Sequence, residues 1–108
     1  MTVKELSEMA GFSPVCLPEP EREIRGGYCG DLLSWVMGRA SSDQAWITIM
    51  SNVNIVAVAT LCDVSVIILS ENVALDDGVK DTAEARGINV ISTAMPTFEA
   101  AKAISGLV

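Results

Sequence analysis

The chain contains no histidine, which removes the commonest general base and the commonest metal ligand from its chemistry. It also contains no Gly-Lys pair, so the phosphate cradle of a P-loop cannot be built anywhere along its 108 residues. Cations are scarce: seven Lys and Arg stand against fourteen Asp and Glu, for a net charge of −7. Attraction to a phosphate backbone needs clustered Lys and Arg, so nucleic acid is not an expected partner. The three cysteines, Cys16, Cys29 and Cys62, form no C-x-x-C pair. Without His they are too few for a zinc or iron–sulfur site, and they read as buried free thiols in a reducing cytoplasm. Lys4, Glu5 and Glu8 stand where an export signal would need an apolar run. Long apolar runs are missing too. The stretch 45–70 has one charge, Asp63, but Ser51, Asn52 and Asn54 break it below the ~18 residues of a membrane span. No membrane, metal or cofactor is expected, and the location is expected to be cytoplasmic.

What is present suffices for a core. Half of the residues are apolar in a chain of 11.4 kDa, the size of a single domain spanning 1–108. Thr2-Val3-Lys4-Glu5 has the spacing of a capping box and predicts a short first helix that stops at Gly11. Proline punctuates the next segment around a strand at 15–17, and a second extended piece is expected over 22–25, ending at Gly26-Gly27. Asp31 is placed to cap a helix with the stripe Leu32, Leu33, Val36, Met37 and Ala40. Apolar runs at 45–50, 64–69 and 88–91 predict buried strands, separated by helices at 55–62 and from Asp76 to Gly87. Pro96 opens a last helix with Phe98, Ala101 and Ile104 inward. Strands without polar alternation are buried on both faces. The expected fold is therefore α/β, three layers around a mainly parallel sheet of four or five strands.

Such sheets bind ligands beyond the carboxyl ends of their strands. Here those ends carry Ser51-Asn52, Ser70-Glu71-Asn72 and Ser92-Thr93, which form either a shared ligand rim or a set of helix caps and turns. Arg25-Gly26-Gly27-Tyr28-Cys29-Gly30-Asp31 concentrates three glycines, which permit close approach of a ligand or another backbone. Arg25 could meet an anionic ligand or an exposed carboxylate, and Tyr28 and Trp35 read as packing residues. The candidate ligand-binding set is Arg25, Gly26, Gly27, Asp31, Ser51, Asn52, Ser70 and Ser92. Lys4, Lys80 and Lys102 read as surface positions. No nucleophile–base pair can be assembled, so no catalytic residue is assigned and no enzymatic activity is expected.

The helix at 55–62 is apolar nearly all round. A surface helix of a monomer is polar outside, so Ile55, Val56 and Ala59 are expected to form the interface of a homodimer.

Glu23-Ile24-Arg25-Gly26-Gly27, followed by Tyr28 to Met37, resembles the DRTGG domain family, as does the block Trp46 to Met50 through Asn54 to Ala59. The naming motif persists as Gly26-Gly27, with Glu23, Ile24 and Arg25 in place of its Asp, Arg and Thr. The resemblance implies an α/β domain related to the N-terminal domain of HPr kinase/phosphorylase, whose kinase activity resides in a separate P-loop domain. It implies ligand sensing or subunit association. With no catalytic set in the chain, the expected role is a non-catalytic, homodimeric regulatory domain that senses a small anionic or nucleotide-like metabolite, or alternatively an interaction module that dimerises or docks on a redox or carbon-metabolism enzyme.

Overall fold

Every residue of β3 (Ala45–Thr48) and β4 (Val66–Leu69) is buried, and their alternating side chains feed two separate cores. Ala45, Ile47, Val66 and Ile68 point to one face, where they meet Val3, Leu6, Ile24, Ala100 and Ile104. Trp46, Ile67 and Leu69 point to the other, against Val36, Ile55, Val56, Val79 and Ala83. The period of two along each strand is what makes one sheet serve two helical layers.

The computed structural model describes Met1–Val108. Around β3 and β4 lie α1 (Val3–Ser7), β1 (Phe12–Cys16), β2 (Gly27–Cys29), α2 (Leu33–Arg39), α3 (Asn54–Cys62), α4 (Val79–Ala85), β5 (Val90–Thr93) and α5 (Thr97–Ile104). The five strands run in the order β1-β5-β4-β3-β2. β2 to β5 are parallel neighbours, and β1 closes the far edge antiparallel to β5. Helices α1 and α5 cover one face while α2, α3 and α4 cover the other. The expected three-layer α/β architecture is present.

The capping box forms as the spacing requires. Thr2 Oγ1 accepts from the Glu5 amide at 3.1 Å, and Glu5 Oε1 accepts from the Thr2 amide at 2.8 Å. Pro14 sits in β1, an edge strand whose register breaks between Pro14 and Cys16, where a missing N–H is tolerated.

Other expectations need correction. The segment 22–25 is not a strand of the sheet. Its backbone is taken by the start of the chain, with Val3 N–H donating to Arg22 O and Ile24 N–H to Met1 O, each at 2.9 Å. The strand begins at Gly27, where the expected one ended. Neither Asp31 nor Asp76 caps its helix; the N-cap positions of α2 and α4 are Leu32 and Gly78, which give no side-chain cap. Phe98 is exposed, and Ala100 with Ile104 forms the inner face of α5. Cys16 and Cys62 are buried but Cys29 is exposed.

The largest correction concerns α3. Ile55, Val56 and Ala59 are buried within a single copy of the chain, so they do not form a free face. The helix is the middle one of its layer, with α2 on one flank, α4 on the other and the sheet beneath. Three packed sides leave only Val53, Asn54, Ala57, Thr60 and Leu61 to solvent.

At the amino ends of β3 and β4, Arg22 bridges Asp43 at 3.2 Å and Asp63 at 2.8 Å. Asp63 terminates α3 in the left-handed region (φ 60°). Hydrogen bonds from Ser42 and then Arg22 hold its carboxyl below the ordinary Asp range. A lowered pKa stabilises the fold above the unfolded value and loses that contribution as pH falls through the folded one. Asp63→Asn should therefore flatten the decline in stability below about pH 4, read by urea denaturation across pH.

Val56→Asp should destabilise by more than about 4 kcal/mol, because it places a carboxylate in a dry core. Leu61→Asp, at a position 74% exposed, should leave the denaturation midpoint unchanged within error. A folded Val56→Asp variant of normal stability would contradict this packing.

Candidate ligand site at the carboxyl edge of the sheet

Parallel strands bring the chain segments after Thr48, Leu69 and Thr93 to one edge. Their polar side chains largely fasten the loops to one another. Asp31 Oδ1 accepts from Thr48 Oγ1 at 2.8 Å and from the Ile49 amide at 2.9 Å, which is why it is not free to cap α2. Ser51 Oγ donates to Asp76 Oδ1 at 2.8 Å, and the Asp76 amide returns a bond to Ser51 O at 3.1 Å. Asn52 Oδ1 accepts from the Asn54 amide at 2.9 Å, turning the chain into α3. Ser70 is buried, and its hydroxyl pairs with Thr97 Oγ1 at 2.7 Å.

The β4–α4 loop is held most firmly. Glu71 and Asn72 are both left-handed, each with φ 59°. That conformation costs non-glycine residues about 1–2 kcal/mol each. It is sustained from the neighbouring loop: the Glu71 and Asn72 amides donate to Met95 O at 2.8 Å and Thr93 O at 3.0 Å. Glu71 Oε2 also accepts from the Thr97 amide at 2.9 Å.

Beneath this loop, on the α4 side of the sheet, lies a cavity of about 430 Å³. Leu69, Val15, Val73 and Leu75 give it apolar surface. Its polar lining includes Asn72, Asp77, Lys80 and Ser92, whose side chains take part in no hydrogen bond or ion pair, and Asp76, which Ser51 holds in place. A pocket of this volume with a few uncommitted polar groups has the make-up of a small-molecule site. One ammonium, two carboxylates, an amide and a hydroxyl can bind and orient a polar molecule.

A second cavity, about 230 Å³ and mostly apolar, lies on the α5 side against β2, with Gly26, Gly27, Cys29 and Ile104 in its wall. Burial first, and then the Asp31 carboxylate, push the Cys29 thiol up, so it is a poor thiolate at neutral pH. Burial likewise raises Cys16 and Cys62. No three His, Cys, Asp or Glu side chains converge to hold a metal ion, and no helix is long and apolar enough to cross a membrane.

The structure divides the candidate residues between two ends of the sheet. Ser92 lines the larger cavity, Ser51 reaches it through Asp76, and Asp31, Asn52 and Ser70 are engaged in holding the surrounding loops. Arg25, Gly26 and Gly27 lie at the opposite end, where Gly27 pairs with Ala45, the first residue of β3. Arg25 is exposed and makes no ion pair. Asn72 was part of the expected polar rim though not of the candidate set, whereas Asp77 and Lys80 were not legible as site residues: Lys80 reads as a surface lysine and Asp76 as a cap. The available signal was the length of 70–78, more than a strand-to-helix turn requires.

A family model described as the DRTGG domain matches residues 33–107. The block Trp46 to Ala59 falls inside that match, and Glu23 to Leu32 precedes it. Among solved structures, the chain is similar to the CBS and DRTGG domains of the regulatory region of Clostridium perfringens pyrophosphatase, crystallised with its activator, diadenosine tetraphosphate. The TM-score is 0.63 at 16% identity, a likeness of fold, and the match covers 84% of this chain and 40% of that one. This chain thus matches only 40% of the length of that relative. No curated protein matches it.

The two glycines of the sequence motif should respond differently to a methyl group. Gly26 has φ 96°, a conformation that L side chains rarely adopt, so Gly26→Ala should cost about 1–2 kcal/mol. Gly27 has no such constraint, and its added Cβ would lie 3.4 Å from Ala45 O, so Gly27→Ala should change stability by under about 0.5 kcal/mol. Chemical denaturation of both variants makes the comparison.

Proposed function

The chain belongs to the DRTGG domain family, and from that premise we propose that it is a non-catalytic regulatory domain that senses a small anionic or nucleotide-like metabolite. The observation that carries this reading is the 430 Å³ cavity at the carboxyl edge, where the side chains of Asn72, Asp77, Lys80 and Ser92 take part in no hydrogen bond or ion pair. The regulatory region of the similar pyrophosphatase, with its nucleotide activator, supports the same direction. The raised thiols and the lack of any histidine support the absence of a catalytic step. Three free thiols favour a reducing compartment such as the cytoplasm.

The cavity also has a route outward. The β4–α4 loop that lines it is bonded to the β3–α3 loop through Ser51 and to α5 through Thr97. A ligand that shifts the loop therefore acts on two helices at once.

A second reading is an association module, homodimeric or docked on a partner enzyme. It is favoured by the exposed apolar side chains of α2 and the ends of α3: Leu32, Trp35, Met37, Val53 and Leu61. The two readings are compatible if the ligand controls association.

A thermal-shift screen with nucleotides, acyl phosphates and coenzymes tests the first reading, with light scattering alongside for the second. A ligand at a hundredfold excess over its Kd stabilises by ~2.7 kcal/mol, a rise on the order of 10 °C for a domain of this size. Ser92→Phe, which fills the cavity, should remove that rise while keeping the circular dichroism spectrum. A dimer that shifts with no ligand, and that Trp35→Asp converts to monomer, would replace sensing with association.

A further inference from the structure

We propose that the larger cavity takes a nucleoside carrying a single phosphate, adenosine monophosphate in preference to the di- or triphosphate; this rests on the ligand-sensing reading above. Charge sets the number of phosphates. Lys80 is the one cation lining the cavity, whereas Asp76 and Asp77 are both acidic and the protein as a whole carries −7. One phosphate can face the Lys80 ammonium. Each further phosphate adds negative charge with no cation to meet it and two carboxylates to oppose it.

The same carboxylates suit the sugar. A carboxylate accepts from both hydroxyls of a vicinal diol, the use that acidic residues have against ribose in dinucleotide sites. Asp77 is the free one, since Asp76 Oδ1 already accepts from Ser51 Oγ at 2.8 Å. Asn72 offers a donor and an acceptor side by side, a pair that matches the N6 and N7 edge of adenine. The left-handed backbone at Asn72 is fixed by its amide bond to Thr93 O, so its side chain starts from a rigid base while its carboxamide stays unpaired. Val73, Leu75 and Val15 supply apolar surface for the face of the base. The volume, about 430 Å³, lies near the lower end of the range of about 300–1,000 Å³ for small-molecule pockets.

Isothermal titration of the full chain with adenosine, its mono-, di- and triphosphates, and inorganic phosphate tests the assignment. The monophosphate should bind at least tenfold more tightly than either adenosine or the triphosphate. Lys80→Gln should reduce it to the affinity of adenosine and leave adenosine unchanged. Asp77→Asn should abolish the preference for adenosine over 2′,3′-dideoxyadenosine and should raise the affinity for triphosphate. Lys80 and Asp77 are exposed, so circular dichroism and melting temperature should match the parent chain. Tighter binding of the triphosphate, or inorganic phosphate binding as well as the nucleotide, would overturn the proposal. If no adenosine compound binds while an acyl phosphate or coenzyme raises the melting temperature, the nucleotide assignment fails and sensing stands. If nothing in that screen binds, both fail.

Discussion

Burial of β3 and β4 on both faces is the constraint from which the other features of this molecule descend. The eight residues of β3 and β4 are all buried, and all but Thr48 are apolar, so each side of the sheet needs a helical layer. Parallel pairing obliges the chain to cross back after every strand, and those crossings supply the layer formed by α2, α3 and α4. The crossings also send every strand-to-helix loop to the same edge. The cavity is there because the loops are there, and the loops gather at one edge because β2 to β5 run parallel.

That edge is built with little redundancy. Asp31, Ser51, Ser70 and Glu71 each bond a neighbouring loop, so the polar residues that a ligand might have used are mostly spent on rigidity. What they achieve is a fixed frame in which a few others, Asn72 and Lys80 among them, are left unpaired. No buried polar side-chain atom lacks a partner anywhere in the chain, which makes those unpaired exposed groups the natural place to look for recognition. Elsewhere the same economy holds. Buried Asn89 uses its amide three times, binding Glu19 through both backbone groups and Ser65 through its carbonyl, and so ties the proline-rich segment to the end of the sheet.

Fold class was legible because apolar periodicity reports local burial, and burial here is nearly uniform along the central strands. The capping box was legible for the same reason, since both partners lie within one turn. Asp31 was misread because its choice is not local: its donors, Thr48 at the end of β3 and Ile49 just after it, lie 17 and 18 residues away. The α3 face was misread because an all-apolar helix has two explanations, a partner subunit or flanking helices, and only tertiary placement separates them. Of the candidate residues read from the sequence, Ser92 alone lines the larger cavity, and Ser51 touches its wall through Asp76. Ser51 and Ser92 follow from topology, but Asp77 and Lys80 follow from where a long loop folds, and composition carries no trace of that.

The antiparallel edge strand has a kinetic meaning. Gly27 to Ala45, Ala45 to Val66 and Ile67 to Val90 are joined by short crossovers, so the parallel part of the sheet closes through successive small loops. β1 belongs to the beginning of the chain yet pairs only with β5, and the bond from Thr93 Oγ1 to Gly11 O spans 82 residues. Loop-closure entropy makes that the slowest contact to form unless the intervening units are already compact. On a ribosome, β1 emerges first and has no strand to join until β5 has followed it out.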